Sequence, residues 1–297
     1  MDISPVYRQY YGLLHRLAYK MLGSYSDAED MVQEVFARYY RLEEQDVRHE
    51  KAYLVRMVTN RCLNFIKSAR KQREVYTGIW LPEPLVTAYT SSQEPGDRLE
   101  RQEEMTYAML IMLQELSGME RAVFLLKETL GYSYPDIAEA TGKSEANCRK
   151  IFSRAKAKLG EGRREPALRV PNADAIVKAF MHASETGNKE ALLELLAADV
   201  VMKNDGGGKV RTAIFPIMGK ERVVALMCGI VPRGFLADGH MLVLVNGSPG
   251  VVIVKDGVAV TVLSFHMAAD SRRIESIYMI KNPDKLEHVT IPDASLS

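Results

Sequence analysis

Apolar residues recur at helical spacing through two stretches of the first 160 positions. In the first, Ala28, Met31, Val32, Val35 and Tyr39 fall on one stripe, while Asp30, Gln33, Glu34 and Arg38 fall on the other side. The Ser26–Glu29 spacing is that of a capping box and predicts the helix start there. Residues 51–73 predict a longer helix, with Leu54, Met57, Val58, Cys62, Phe65, Ile66 and Ala69 inward. Its outward face carries Arg56, Asn60, Asn64, Lys67 and Lys71, flanked by Arg61, Arg70 and Arg73. Amides can bond base edges and cations can neutralise phosphates, although a merely solvated basic face has the same pattern.

Residues 132–159 have helix-turn-helix spacing. Ser133 caps a short helix with Pro135 in its first turn, Gly142 ends it four residues after the small Ala138, and Ser144 opens the next. Cys148, Ile151, Phe152, Ala155 and Leu159 form the inward side of that second helix. Glu145, Asn147, Arg149, Lys150, Ser153, Arg154 and Lys156 face outward, a placement suited to a major groove. A packing hairpin is the plainer alternative, but it needs no such density of cations.

From about residue 172 the pattern changes. Helical stretches near 173–186 and 189–198 precede β-branched runs at ADVVMKND, GHMLVLVNG, GVVIVKDG, VAVTVLSFHM and RIESIYMI. Asn246-Gly247 and Asp256-Gly257 between these runs predict hairpins, hence an α+β domain with an antiparallel sheet. TGIWLPEPLVTAYTSSQEPGD, with three prolines and little periodicity, reads as an exposed tether between the two helical stretches.

The 297 residues suit two or three domains. A net charge of +1 argues neither for nor against nucleic acid, because phosphate attraction depends on local clusters. The three cysteines, Cys62, Cys148 and Cys228, have neither zinc spacing nor an even count, which points to reduced thiols. No run approaches the roughly 20 apolar residues of a membrane span, and the N-terminus has no apolar signal core. A cytoplasmic, monomeric chain without membrane contact, metal, cofactor or catalytic residue is expected.

LGSYSDAEDMVQEVFARYY, with its order D-A-E-D-x-V-Q-E-x-F, resembles the second conserved region of extracytoplasmic-function sigma factors. AYLVRMVTNRCLNFIKSARK is similar to that family's promoter-melting helix. LSGMERAVFLLKETLGYSYPDIAEATGKSEANCRKIFSRAKAKL resembles its fourth region, the reader of the −35 element. GIWLPEPLV, DGGGKVRTAIFPIMG and NPDKL resemble a subgroup with a SnoaL-like (NTF2-like) domain fused at the C-terminus. The resemblance implies a multidomain chain: region two in 1–72, a linker in 73–100, region four in 101–162, and a cone-shaped α+β domain in 172–297.

It also implies roles. The partners would be the RNA polymerase core, through its β′ clamp and β flap, and promoter DNA. Asp30, Gln33 and Glu34 would dock the clamp. Asn60, Arg61, Asn64, Lys67 and Lys71 would lie at the −10 strand opening. Glu145, Arg149, Lys150, Ser153 and Arg154 would meet the −35 duplex. The C-terminal domain would regulate in cis, with Asn282, Pro283, Asp284, Lys285 and Leu286 in its control surface, and a small-molecule ligand in its apolar pocket is a further candidate.

Asp205-Gly206-Gly207-Gly208-Lys209 lacks phosphate-loop spacing, and no helix pattern follows it. Its glycines permit close backbone approach, either to the helical modules or to the Trp80–Pro84 linker, Leu81 and Pro82 included. Trp80 is an anchor for such a contact, or simply packs on the nearest helix. Asp199, Asp205, His240 and His266 could serve an isomerase-like site, but the sequence shows no convergent set. Two alternatives remain: a one-component helix-turn-helix regulator with a ligand-sensing domain, and an enzyme acting through the third domain.

Overall fold

The computed structural model describes residues 4–41, 49–74, 76–89, 105–160, 170–268 and 272–291. The chain divides into two compact units, Met1–Val75 with Leu110–Arg163, and Tyr76–Met109 with Arg164–Ser297.

The first unit is helical. Helices α1 (Ser4–Leu22), α2 (Tyr25–Tyr40) and α3 (Glu50–Glu74) pack mutually. Gly23, at φ 71°, makes the tight turn from α1 into α2. The cap of α2 is Ser24, whose hydroxyl accepts from Asp27 N at 3.1 Å. The expected Ser26 cap is therefore wrong by two residues: Ser26 is exposed inside the first turn, because Ser24 already holds the extended cap conformation. The stripe on α2 is as expected, with Phe36 added.

On α3 the buried set is Leu54, Val55, Val58, Thr59, Cys62 and Leu63, while Met57, Phe65 and Ile66 are half-buried. The inward face is broader than the sequence stripe because α3 is packed from two sides. One side meets α1 and α2, the other meets α5 (Gly118–Glu128) and α6 (Tyr134–Thr141). Burial pushes the Cys62 thiol up to about 12, so it stays protonated.

Helices α5, α6 and α7 (Glu145–Leu159) form the second helical module. The Ser133–Asp136 capping box, the left-handed Gly142 at φ 66° and the Ser144 cap delimit α6 and α7 as the spacing predicts. Cys148, Ala155 and Leu159 are buried, whereas Ile151 and Phe152 are half-buried, Phe152 lying 6.2 Å from the Phe124 ring. Helix α4 (Tyr107–Gln114) begins in the second unit and ends in the first.

The second unit is α+β. Helices α8 (Ala173–Glu185), α9 (Lys189–Leu195) and α10 (Lys220–Ile230) accompany a seven-stranded sheet. The strands are β1 (Val86–Ala88), β2 (Leu196–Asp205), β3 (Ile217–Met218), β4 (Gly239–Val245), β5 (Ser248–Lys255), β6 (Val258–Met267) and β7 (Ile274–Ile280). Their order is β1-β4-β5-β6-β7-β2-β3. The second helical stretch ends at Leu195, three residues earlier than its periodicity suggests, because β2 takes over from Leu196. Asn246-Gly247 and Asp256-Gly257 all have positive φ, the type I′ requirement of two-residue hairpins.

Two expectations are corrected. The sheet is not wholly antiparallel: β2 pairs with β7 in parallel, Met202 opposite Ile277. The meander β4–β7 leaves its last strand open, and β2, which precedes α10 in the chain, lies beside it. Nor is the described part of the proline-rich segment, residues 77–89, exposed throughout; residues 90–97 lie outside the described residues. Leu81 to Pro84 are buried, and β1 extends the sheet edge, pairing Val86 with Val245. The physical reason lies in β5 and β6, whose consecutive buried residues need cover on both faces. On one face Phe265 and Ile277 of the sheet join Phe180 and Met227 of the helices in one core. On the other face Tyr278 meets the Tyr107 ring edge-on at 5.7 Å, and Tyr107 Oη donates to Pro82 O at 2.6 Å.

Candidate functional site: exposed helical faces and a buried linker cluster

On α2, Asp30, Gln33 and Glu34 are exposed on one face. Gln33 Nε2 donates to Glu29 at 3.3 Å. Glu34 pairs with Arg61 of α3 at 2.5 Å, with both side chains about half exposed, so the pair contributes little stability. Asn60, Arg61, Asn64 and Lys67 are exposed on α3, and the Lys71 side chain lies outside the described residues. The structure places Asn60 against the second module: its Nδ2 donates to Arg56 O at 3.0 Å and to Ala140 O of α6 at 3.2 Å. Arg56 pairs with Glu139 at 3.4 Å. Neither Arg56–Glu139 nor Asn60–Ala140 is legible in the sequence, since the residues are about eighty positions apart.

On α7, Glu145, Asn147, Arg149, Lys150, Ser153 and Arg154 are exposed. Arg149 is partly held by its own scaffold, pairing with Glu145 at 3.4 Å and lying 4.5 Å from the Tyr134 ring. Lys156 and Lys158 reach back to Glu128 and Glu120 of α5 at 2.9 and 2.7 Å. A rigid scaffold thus presents Lys150, Ser153 and Arg154 on one outward side.

The second unit brings the WLPEP, DGGGK and NPDKL residues into one cluster. Asp205, 1% exposed at the end of β2, accepts from Tyr76 Oη at 2.5 Å and Gly207 N at 2.9 Å through Oδ1. Its Oδ2 accepts from Leu81 N at 2.8 Å and from Lys285 Nζ at 2.7 Å. Lys285, 5% exposed, also donates to Leu81 O and sits 4.1 Å from the Trp80 ring centroid. A buried charge pair of this kind persists only when each remaining lone pair and proton is satisfied, as here.

The Asp205 O accepts from Lys281 N and Asn282 N, and Asn282 Nδ2 donates to Tyr76 Oη at 3.0 Å. Burial, followed by the Asp205 carboxylate, holds the Tyr76 phenol far above its usual range, so it is a donor. Pro283 and Asp284 are exposed, Leu286 is buried, and Lys209 closes the rim by pairing with Asp284 at 2.6 Å.

The glycines are there for space. A Cβ on Gly206 would lie 2.2 Å from Val210 O, and one on Gly207, at φ 63°, about 2.5 Å from the Asn282 amide. Gly208 leaves room for Thr77. Sequence reading missed Tyr76, Asn246, whose Oδ1 accepts from Leu85 N at 3.1 Å, and His288, 3.0 Å from Pro84 O. Tyr76, four residues before the sole tryptophan, was the available signal.

The suspected isomerase set does not gather. Asp199 is exposed, His240 meets Glu185 at 3.3 Å, His266 is 3.9 Å from Glu275, and Asp205 is saturated by the cluster. A cavity of about 20 Å³, room for a water, is lined by Tyr107, Val170, Phe265 and Met267 among others. Among the described residues no group of three or more His, Cys, Asp or Glu could hold a metal. None of the described helices is long and apolar enough to cross a membrane.

Residues 6–72 match Sigma-70 region 2 and residues 108–159 match Sigma-70 region 4. The chain is 32% identical over 243 residues to the sigma factor SigJ of Mycobacterium tuberculosis, covering 80% of this chain and 76% of that protein. It is 30% identical over 292 residues to the probable sigma factor SigI of the same organism, covering 96% and 95%. The crystal structure of SigJ superposes with a TM-score of 0.75 at 27% identity over 95% of this chain and 98% of that one. Two sigma modules and similarity along nearly the whole length together establish that the chain belongs to the extracytoplasmic-function family of RNA polymerase sigma factors.

Proposed function

We propose that the chain, as a sigma factor, reads its promoter with two named faces and is regulated in cis through the buried linker cluster. On α3, Asn60, Arg61, Asn64, Lys67 and Lys71 take the −10 strand as it unpairs. On α7, Lys150, Ser153 and Arg154 contact the −35 duplex, with Glu145 and Arg149 setting the register. Asp30, Gln33 and Glu34 of α2 dock the β′ clamp, and the second module meets the β flap. Each DNA contact alone is weak, and tethering both to the polymerase raises their effective concentration. Captured bases offset an unpairing cost of a few kcal/mol each.

The observation that carries the regulatory reading is the Asp205–Lys285 pair clasping Leu81 from both its N–H and its C=O. Residues 76–89 lie between the two sigma modules in the chain, so a rearrangement of the SnoaL-like domain is transmitted to the segment that joins them. No ligand is required by this reading.

Run-off transcription with core polymerase tests both parts. Lys150→Ala with Arg154→Ala is expected to lower promoter binding and reduce its salt slope by about one for each phosphate no longer neutralised. An unchanged slope would remove these residues from the interface. A chain ending before Asn282 should transcribe at a changed rate while the helix-turn-helix module still folds. The same rate as full length would end the regulatory reading.

A further inference from the structure

The face of the sheet that joins the helix-side core is apolar along β5, β6, β7 and β2 but turns polar at one end. Alternation puts Asn204 on the face of Val200 and Met202, and it stands opposite Met279 in the parallel β2–β7 pair. Thr261 pairs with Ile253 and shares its face. Lys281 follows Met279 by two residues and lies one step beyond the last β6–β7 pair, Val262 with Ile280, which brings it level with Thr261. Three adjacent strands, about 4.8 Å apart, thus bring a hydroxyl, an ammonium and an amide to one place.

These groups are short of partners. Asn204 is 2% exposed, and its Nδ2 has no hydrogen-bond partner among the described residues. A buried donor left unpaired is costly, so a core rarely keeps one without a use. Thr261 is buried as well. Lys281 is half-buried, with its Nζ 5.7 Å from the Phe235 ring. Burial holds this ammonium below the usual lysine range, and no carboxylate acts against it. Lys285, four positions on, has Asp205 as its counter-ion; Lys281 has none among the described residues. The walls are apolar: Leu226, Ile230, Phe235 and Leu236 pack half-buried on the same core.

One cation among neutral donors and apolar walls matches a singly charged oxyanion with an apolar body. A doubly charged phosphate ester would leave a surplus negative charge in those surroundings. We propose that Lys281, Asn204 and Thr261 form a binding site for a small monocarboxylic acid on the helix-side face of the sheet. Lys281 Nζ and Asn204 Nδ2 donate to the carboxylate oxygens, Thr261 Oγ1 supplies a further donor, and Phe235 and Leu236 cover the apolar body. The site lies back to back with the linker cluster, since Asn204 precedes Asp205 and Lys281 precedes Asn282 in the chain. It goes beyond the regulatory reading above and does not depend on it.

Calorimetric titration of the full chain at about pH 7, without polymerase or DNA, tests the site. Phenylacetate should bind at one site, with phenyl phosphate and benzyl alcohol at least about tenfold weaker. Lys281→Met should weaken phenylacetate at least about tenfold. Asn204→Asp, close in volume, gives Lys281 a counter-ion of its own and should weaken it by a similar factor. The unmutated chain supplies a measurement free of any folding defect. Saturating phenylacetate should lower acetylation of Lys281 by acetic anhydride at least about threefold, read by peptide mass spectrometry, and leave the exposed Lys255 unchanged. Absence of phenylacetate binding, equal affinity for the alcohol or the phosphate ester, or equal acetylation of Lys281 with and without phenylacetate overturns the proposal. Transcription plays no part in these readouts, so their outcome is separate from that of the regulatory reading.

Discussion

Removing the Asp205 carboxylate should damage the second unit more than removing its cation. Asp205→Ala leaves four donors without their acceptor: Tyr76 Oη, Gly207 N, Leu81 N and Lys285 Nζ. Breaking a buried pair from one side costs about 3–5 kcal/mol, and stranded buried donors put this variant at the upper end. Lys285→Met leaves a carboxylate still holding three donors and an apolar chain still lying on Trp80, so the lower end of that range, about 3 kcal/mol, is expected, including the cation–π attraction that the ammonium supplies.

The two residues touch, so their effects should fall short of additivity by at least about 1 kcal/mol. Urea unfolding followed by fluorescence is the assay, because Trp80 is the sole tryptophan and lies in the cluster. The midpoint should shift with m unchanged. The reasoning fails if Lys285→Met costs as much as Asp205→Ala, or if the double variant is the simple sum.

Gly207→Ala should cost well over about 1 kcal/mol, since it adds a clash with the Asn282 amide to the strain of positive φ; a smaller loss in the same assay would mean Asn282 moves aside without consequence. His15, 8% exposed between Tyr11 and Tyr25, is held below the usual histidine range chiefly by burial. Its neutral form is favoured in the fold, so its contribution is present above about pH 6.5 and is lost as pH falls below that. Circular dichroism melts of the helical unit at descending pH should show this loss, and His15→Phe should flatten it; an identical slope in the variant would remove His15 as the cause.

Local signals were read correctly at most positions where local physics decides, the Ser26 cap excepted. Ser133, Pro135, Gly142 and Ser144 delimit the helix-turn-helix because caps, a ring-fixed φ and a left-handed glycine act within a few residues. Asn246-Gly247 and Asp256-Gly257 specify type I′ turns for the same reason. The outward positions of α2, α3 and α7 also follow from periodicity, because the polar faces of these helices meet water.

What periodicity could not disclose were pairings between residues far apart in the chain. The segment around Leu81 looked like a tether because prolines suppress any period, yet it is buried against a sheet whose β5 and β6 lack alternation. The uninterrupted apolar runs GVVIV and VAVTVL carried the hint that both faces needed cover, without saying what covers them. Asp205 with Lys285, Arg121 with Met21, and Asn60 with Ala140 are separated by eighty to a hundred positions. Residue chemistry alone made each of these a polar group in need of a partner; only the packing of helices and sheet, which excludes water from Asp205, Lys285 and Arg121, decided which partner each one met.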